Sequence, residues 1–382
     1  MSARVVLVAG EPSGDHLGAA LIGGLRTLSP GIAISGVGGQ AMAAAGMASL
    51  FPMERLSVMG LAEVLPRLPE LLRLRDRAVE AVVDGEADVL VTIDSPDFGL
   101  RVAAKARAAR PGLRTIHYVA PSVWAWRAGR AERMARVIDH VLALLPFEPP
   151  HMRAAGMSCD FVGHPVVAAP RATAAEVAAV RDGHAGRVIL VLPGSRRGEV
   201  SRLAPIFGEA LHAVPRDVRT VVPTLPHLRA MVEDAVRGWP GRPVIVTGEA
   251  ERRAAFGAAE GALAASGTVS LELAANGVPM VVAYDMAWLT RTILMRMLKV
   301  DTVTLVNLVS GMRAVPEFLG TACKPGPVGA ALDRLLTVPS VRDAQRAALD
   351  LTMERLGRGG EHPGLRAARS VLAQLAAPSE RA

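Results

Sequence analysis

The stretch from residue 265 to 284, ASGTVSLELAANGVPMVVAY, contains a turn of small residues that could bring backbone amides close to a bound group. An apolar lead-in ends at Ser266, Gly267 and Thr268, and an apolar helical run follows. Glycine and proline at 277–279 stop that run before a second apolar one. The pattern predicts strand, turn, helix and strand. Backbone N–H groups in such a turn, together with a helix N-terminus, favour a phosphate group.

Glu272 is the charged residue of this stretch. If Gly267 or Thr268 caps the helix, the capping-box position falls at Ser270 or Leu271, so Glu272 is out of register for capping. It lies one turn inside the helix among apolar neighbours, where its carboxylate could accept hydrogen bonds from the hydroxyls of a ribose. The alternative is a solvated glutamate on the helix surface, and the stretch alone leaves both interpretations open.

A second candidate carboxylate follows the apolar run ADVLVTI, at Asp94. Ser95 and Pro96 predict the start of a helix, with Ser95 as the N-cap and Pro96 as the first residue. Asp97 then lies in the first turn, where its charge stabilises the helix dipole. That explanation leaves Asp94 at the carboxyl end of a strand, and open α/β sheets bind their ligands outside those ends.

A basic turn is the third candidate, in RVILVLPGSRRGEV from residue 187 to 200. It places Arg196 and Arg197 between a predicted strand and a predicted helix. A guanidinium in that position is suited to a phosphate, because it can donate two parallel hydrogen bonds. The alternative for Arg196 is a turn arginine that pairs with Glu199.

Composition restricts the class of protein. Hydrophobic residues make up 51% of the 382 residues and aromatic residues only 3%, which is typical of α/β layers filled by Ala, Val and Leu. Two cysteines form neither a disulfide framework nor a cysteine metal cluster, which fits a reducing compartment. The net charge of +7 favours an anionic partner, but no basic run is interleaved with aromatics, so nucleic acid is not indicated.

We expect a cytoplasmic protein. The apolar run before Glu11 is too short for a signal peptide. The longest uncharged stretch, residues 27–53, is interrupted by glycines and proline and does not read as a spanning helix.

Strands alternate with helices twice along the chain, which predicts two doubly wound, Rossmann-like α/β domains facing each other across a cleft. A proline-rich region around 146–165 indicates the boundary. We expect an N-terminal domain at 1–165, a second domain at 166–345, and a helical tail at 346–382 that packs on the N-terminal domain or on a partner chain. The early glycines are four residues apart, a spacing that differs from the dinucleotide fingerprint, so NAD is not indicated.

Two segments combine apolar and basic residues. Residues 52–77 mix methionine, leucine and valine with five arginines, which predicts either amphipathic core helices or a surface that lies on a membrane and receives acyl chains. Residues 290–300, TRTILMRMLKV, have a similar character. Trp124 and Trp126 follow a predicted strand; they are either core residues or a platform for a sugar or an acyl chain.

Eight motifs occur in an order that resembles the lipid-A-disaccharide synthase family, which is made of inverting glycosyltransferases of the GT-B type. They are VAGEPSGDHLGA, IDSPDF, IHYVAPSVWAWR, LPFEP, FVGHP, LPGSRRGEV, ASGTVSLE and VNLVSG. The resemblance runs from about Val5 to about Gly320. VAPSVWAWR and LPGSR are specific to the family, whereas ASGT followed by glutamate is common to many GT-B enzymes.

The resemblance implies transfer of a diacylglucosamine from UDP-2,3-diacylglucosamine to the 6-hydroxyl of 2,3-diacylglucosamine 1-phosphate (lipid X), which gives the β(1→6) disaccharide of lipid A. It implies functional roles for the residues that match the family motifs, Glu11, Asp94, Arg196, Glu272 and Asn307. On the acceptor and membrane side we expect Ser13, Val58, Met59, Leu61, Trp124 and Trp126. The implied location is peripheral, on the inner face of the inner membrane, and a homodimer is compatible with the sequence.

The chemistry can also be argued from the residues. An inverting transfer needs one base for the acceptor proton and a group that holds the departing diphosphate. Asp94 or Glu11 can supply the base. No Asp-x-Asp pair follows a strand, so we expect neither metal nor cofactor and assign the leaving-group charge to Arg196 and the turn at 266–268. The alternatives are a UDP-sugar epimerase of the same architecture and a membrane-surface module that only binds a nucleotide sugar.

Overall fold

The computed structural model of the protein describes residues 3–56, 61–124, 129–181, 186–215, 217–241, 243–286 and 300–377, with only the backbone at 61–64. The chain divides into two compact units, Met1–Pro165 with Gly359–Ala382, and Val166–Arg358. Each unit contains a six-stranded parallel sheet with helices around it, which confirms the prediction of two doubly wound α/β domains.

The first unit is built on six parallel strands: β1 Arg4–Ala9, β2 Ala33–Val37, β3 Val89–Ile93, β4 Arg114–Tyr118, β5 His140–Ala143 and β6 Ser158–Phe161. Their order in the sheet is β2-β1-β3-β4-β5-β6. Every residue of β3 is buried, which explains why this strand reads as a continuous apolar run. Since the chain leaves β1 and β3 in opposite directions, the topological switch point lies between them, where Ala9 pairs with Ile93.

Helices of the first unit follow these strands: α1 Pro12–Leu28, α2 Gln40–Ala44, α3 Leu61–Val83, α4 Pro96–Ala109, α5 Gly129–Ala135 and α6 Pro149–Ala154. The start of α4 at Pro96 is as predicted, but Ser95 does not cap it through its side chain. Its backbone is left-handed, with φ of 39°. Its hydroxyl lies instead against Gly10, where an added Cβ would come within 2.8 Å of Ser95 Oγ.

The second unit is built on β7 Arg187–Leu192, β8 Val218–Pro223, β9 Val244–Val246, β10 Gly261–Ala264, β11 Met280–Tyr284 and β12 Glu317–Leu319. Their order is β12-β11-β10-β7-β8-β9, and all are parallel to their neighbours. The chain leaves β7 and β10 in opposite directions. The switch point of this sheet therefore lies between these two strands, where Leu192 pairs with Ala264.

Its helices are α7 Ala174–Arg181, α8 Arg197–Ala210, α9 Arg229–Ala235, α10 Glu249–Ala258, α11 Val269–Ala275, α12 Leu305–Ser310, α13 Pro325–Thr337 and α14 Pro339–Arg355. The apolar core of the unit lies between its sheet and helices such as α8 and α13. α14 belongs to this unit, which continues to Arg358, beyond residue 345 where sequence analysis ended the domain.

The last helix, α15 Pro363–Ala376, returns to the first unit and packs against α1. The two helices approach closely at a pair of glycines, because a Cβ on Gly24 would lie 2.4 Å from the carbonyl oxygen of Gly364. A polar contact completes the attachment. The Ser370 hydroxyl lies 2.9 Å from Nε2 of the buried His140 and donates a 2.7 Å hydrogen bond to Asp160.

The segment 52–77 divides into a buried and an exposed part. Met53 and Leu74 belong to the core of the first unit, so the core interpretation of this segment holds for these two residues and Met53 is not available to a membrane. Leu65 and Leu68 are exposed, at 65% and 39% of their surface. In the part of the chain that the structure describes, no helix combines the length and the apolar character needed to cross a membrane.

Candidate active site

The loops after β1 and β3 bring three predicted residues to one edge of the first sheet. The Ser13 hydroxyl donates a 2.6 Å hydrogen bond to Oδ2 of Asp94, and the Ser95 N–H donates one of 3.0 Å to Oδ1. Glu11 precedes α1 as its N-cap and is exposed. These carboxylates therefore lie at the switch point, the place where open α/β sheets bind ligands.

The backbone at Asp94 is strained. Asp94 and Ser95 have φ of 52° and 39°, a left-handed conformation that costs free energy in residues other than glycine. A third positive φ, 90° at the β-branched Val119, follows the neighbouring strand β4. Such strain concentrates at active sites and ligand clamps. Its clustering at the carboxyl edge supports the view that this edge is functional.

Asp15 is a residue to which the sequence reasoning assigned no role. It is buried, and its carboxylate accepts hydrogen bonds from the N–H groups of Gly39 and Met42 at Oδ1 and of Ala41 at Oδ2, at 2.8–3.0 Å. These are the unpaired amides at the start of α2. Asp15, at the acidic end of EPSGD, therefore holds the second glycine turn in place at the start of α2.

Aromatic residues lie farther along the same edge. The half-buried Trp124 packs edge to face on Phe147, with ring centroids 5.2 Å apart. Next to Phe147, burial raises the pKa of Glu148 to about 7, although the Leu145 N–H donates a 2.9 Å hydrogen bond to its carboxylate. The other predicted acceptor and membrane residues, Val58, Met59 and Trp126 and the side chain of Leu61, lie outside the described residues.

The switch point of the second sheet opens into a cavity of about 470 Å³. Its walls come from the carboxyl ends of β7, β8, β9 and β10 and from the helices that follow them. Five predicted site residues line it, Arg196, Ser266, Gly267, Thr268 and Glu272. The turn and helix at 265–275 form as the sequence predicts, with Thr268 as the N-cap of α11.

Glu199 organises the turn before α8. Its Oε2 accepts hydrogen bonds from the N–H groups of Ser195 and Arg196 at 3.0 and 3.3 Å, and its Oε1 lies 3.4 Å from Nη1 of Arg196. Gly194 is required here because its φ is 120° and an added Cβ would lie 2.5 Å from Cβ of Glu199. The alternative pairing of Arg196 with Glu199 is therefore present. The Arg196 side chain is nevertheless 66% exposed and still lines the cavity.

Glu272 forms an ion pair with Arg252, a residue that sequence reasoning missed. Arg252 lies in the first turn of α10, its guanidinium 4.9 Å from the centre of the Phe256 ring and 3.7 Å from the Glu249 carboxylate. The sequence does contain a signal that could have predicted the position of Arg252. Arg252 closely follows the strand PVIVTG, and all strands of a parallel sheet end at one edge.

Asn307 lies apart from this cavity, in α12. Its side-chain amide is buried and donates to the Val315 carbonyl at 2.9 Å and to Thr302 Oγ1 at 3.3 Å. Its Oδ1 accepts a 3.0 Å hydrogen bond from the Val315 N–H. These contacts give Asn307 a role in holding the segment 302–315 together. Among the described side chains, no group of three His, Cys, Asp or Glu residues could hold a metal ion.

The two sheets and the position of the cavity place the protein in the GT-B-like class of α/β folds. Two solved structures illustrate the likeness at the level of fold. The UDP-GlcNAc 2-epimerase of Neisseria meningitidis, bound to UDP-GlcNAc, has a TM-score of 0.65 at 12% identity, covering 97% of this chain and 99% of the other. HepE of Anabaena, in complex with UDP and glucose, has a TM-score of 0.61 at 12% identity, covering 98% and 99%.

Similarity of sequence then identifies the family. Residues 5–360 match the family model of lipid-A-disaccharide synthetase. The lipid-A-disaccharide synthase of Ruegeria pomeroyi is 58% identical over 97% of this chain and 95% of its own, and that of Rhodospirillum centenum is 46% identical over 96% and 94%. The chain belongs to the lipid-A-disaccharide synthetase family, as the sequence motifs indicated.

Proposed function

We propose that the protein transfers 2,3-diacylglucosamine from UDP-2,3-diacylglucosamine to the 6-hydroxyl of lipid X, giving the β(1→6) lipid A disaccharide 1-phosphate and UDP. Membership of the family over residues 5–360 supports this activity. The observation that carries the mechanism is the cavity at the β7/β10 switch point, which gathers Arg196, the turn at 266–268 and Glu272.

The second unit binds the nucleotide in this proposal. The diphosphate lies against the turn at 266–268 and the Arg196 guanidinium, and the ribose hydroxyls donate to Glu272. When the glycosidic bond breaks, negative charge develops on the diphosphate. The exposed guanidinium of Arg196 can donate hydrogen bonds to that charge, because its contact with Glu199 is weak, with 3.4 Å between Nη1 and Oε1. No metal ion takes part in this scheme.

The first unit supplies the base. The 6-hydroxyl of the acceptor gives its proton to Asp94, and the oxygen attacks the anomeric carbon from the face opposite the departing UDP, which inverts that centre. Asp94 suits this role because hydrogen bonds from Ser13 and the Ser95 N–H fix both oxygens of its carboxylate. Each oxygen keeps a lone pair for the proton. Glu11 lies at the same edge as a second acceptor of hydrogen bonds.

Both substrates carry acyl chains, so we propose that the protein works from the cytoplasmic face of the inner membrane. The exposed Leu65 and Leu68 on α3 provide apolar area for such a surface. Arg73 on the same helix is exposed and can interact with anionic lipid, an interaction worth about 1 kcal/mol for a basic residue near the surface. α3 is anchored by its second half, since Leu74, Ala78 and Val82 lie in the core.

An assay of UDP release tests the proposal. We expect purified protein to release UDP from UDP-2,3-diacylglucosamine only when lipid X is present, with one disaccharide formed for each UDP. An epimerase that uses water to break the bond to UDP would release UDP and a free sugar without the acceptor, and a binding module would release no UDP at all. Either of these results would contradict the transferase. The likeness to epimerase structures, at 12–14% identity, is one of fold and does not favour the first alternative.

A further inference from the structure

Arg252 forms part of the cavity wall in the second unit, as does the turn at 266–268. We infer that Arg252 is a positioning residue for the nucleotide, which holds the Glu272 carboxylate in place to receive the ribose hydroxyls. This inference rests on the proposed function, because it assumes that the cavity binds UDP. It assigns to α10 a part in substrate recognition.

The geometry around Arg252 fixes its side chain on three sides. Nη2 donates to Oε2 of Glu272, Nη1 lies 3.7 Å from Oε1 of Glu249, and the guanidinium stacks over the Phe256 ring. Arg252 comes from the helix after β9, whereas Glu272 comes from the helix after β10. The ion pair therefore joins the helices that follow two different strands of the sheet.

The ion pair with Arg252 leaves one oxygen of the Glu272 carboxylate available to a ligand. Oε2 of Glu272 accepts from Arg252, while Oε1 has no hydrogen-bond partner in the described part of the chain. An arginine that holds one oxygen fixes the plane of the carboxylate and the direction of the lone pairs on the other. A ribose diol needs such a fixed acceptor, because its two hydroxyls have a defined separation.

Charge gives a second reason for Arg252. The ionisable side chains that line the cavity are two arginines and three glutamates, Arg196, Arg252, Glu199, Glu249 and Glu272. A bound diphosphate would repel an isolated Glu272 carboxylate. The Arg252 guanidinium, which is paired with Glu272, offsets that repulsion.

A purely structural role does not account for this pair. Both side chains are 36% exposed, and ion pairs at that exposure contribute little to stability. Arg253, the next residue, provides a comparison on the same helix. It pairs with Glu176 of α7 and does not line the cavity.

The test measures binding of UDP and of 2′,3′-dideoxy-UDP, which lacks both hydroxyls, by calorimetry. We expect the wild type to prefer UDP by at least roughly tenfold, as hydrogen bonds to a charged acceptor allow. Arg252→Ala should bring the ratio of the two affinities close to one, and so should Glu272→Gln. The double variant should lose no more of the preference for UDP than either single variant does. Arg252→Lys should restore part of the preference, and Arg253→Ala should keep all of it.

The outcomes are distinct. If Arg252→Ala weakens both ligands equally and keeps the ratio, Arg252 does not act through Glu272 and the inference is wrong. The same conclusion follows if Arg253→Ala lowers the ratio as much, because the effect then belongs to α10 as a whole. If the wild type binds neither nucleotide, the proposed function itself fails, and the inference fails with it.

Discussion

The Ser13 hydroxyl donates a 2.6 Å hydrogen bond to Oδ2 of Asp94, and this contact joins the loops that follow two adjacent strands of the first sheet. Together with the Ser95 N–H on Oδ1, it fixes a carboxylate whose own backbone is left-handed. A carboxylate held in this way is oriented before the substrate arrives. The arrangement makes Asp94 the residue on which catalysis should depend most sharply.

Asp94→Asn should abolish turnover, because an amide cannot take the acceptor proton. UDP affinity should persist, since the nucleotide site that we propose lies in the other unit. Steady-state kinetics and calorimetry with UDP separate these two effects. Asp97→Asn is the matched control: Asp97 is exposed in the first turn of α4, so its loss should cost only about 0.3–1 kcal/mol of stability. A variant at Asp94 that turns over but no longer binds UDP would refute the assignment.

Arg196→Ala should lower kcat by roughly 100- to 1000-fold, which corresponds to the 3–4 kcal/mol typical of a preorganised donor to a developing anion. KM should change less, because the interaction strengthens as the diphosphate departs. Arg197→Ala is the control, since Arg197 is the neighbouring residue and does not line the cavity. Equal losses in the two variants would mean that the turn needs positive charge in general and that Arg196 has no particular role.

We expect the contribution of Glu148 to the free energy of unfolding to fall as pH rises. Burial raises its pKa in the folded protein to about 7, above the value of 4.5 for a free side chain, so the folded state binds this proton more tightly than the unfolded state. The stabilisation is complete below about pH 4.5 and is lost as pH rises through about 7, by about 3 kcal/mol at most. Glu148→Gln should therefore be more stable than the wild type at pH 8, with a smaller difference at pH 5.

Glu176→Gln is the control of opposite sign for this experiment. The Arg253 guanidinium lowers the pKa of Glu176 to about 2, so the Glu176 contribution is present at neutral pH and is lost as the solution becomes acidic. Denaturant unfolding at several pH values measures both variants. If Glu148→Gln is destabilised equally at pH 5 and pH 8, then the carboxyl is not neutral in the folded protein.

Leu65→Ser combined with Leu68→Ser should weaken binding to anionic phospholipid vesicles by at least roughly tenfold, because burial of each leucine contributes about 1.5–3 kcal/mol. Transfer to an acceptor embedded in vesicles should fall further than transfer to one dispersed in detergent. Met312→Ser removes an exposed apolar side chain from the second unit and should change neither. A lower melting temperature with equal loss in both assays would show that the two leucines are ordinary packing residues.

Treatment with EDTA should leave the transfer rate unchanged. Among the described residues, no group of three His, Cys, Asp or Glu side chains is suited to a cation. The leaving-group charge is assigned instead to Arg196 and the turn at 266–268. Initial rates before and after chelation provide the measurement. Activity that disappears with EDTA and returns with magnesium or manganese would contradict this scheme.

The sequence predicts the helices and strands well, because the spacing of hydrophobic residues and the glycine turns are local signals. The turn at 266–268, the helix after it and the strand ending at Tyr284 form where the pattern places them. The position of Asp94 at a strand end could be read in the same way. What local pattern cannot supply is the order of strands in a sheet, and that order decides which strand ends meet.

Arg252 and Asn307 illustrate what the local sequence pattern cannot predict. Arg252 meets Glu272 only because α10 crosses from the edge strand β9 to β10, a pairing between residues 20 positions apart. Asn307 lies in a family motif, but its side-chain amide forms hydrogen bonds with the backbone of Val315. That contact depends on how the loop folds back. In the same way, the left-handed backbone of Ser95 removes the cap that its residue type predicts.

The return of α15 to the first unit affects the order in which the chain can fold during synthesis. The first unit is discontinuous, since it needs Gly359–Ala382 as well as Met1–Pro165, whereas Val166–Arg358 is continuous. The groove along α1 that receives Ala367, Ala368 and Val371 stays open until those residues leave the ribosome. The second unit, although made later than most of the first, can therefore close its core earlier. A nascent chain stopped before residue 359 would carry a finished second unit attached to an N-terminal unit with part of its core in water.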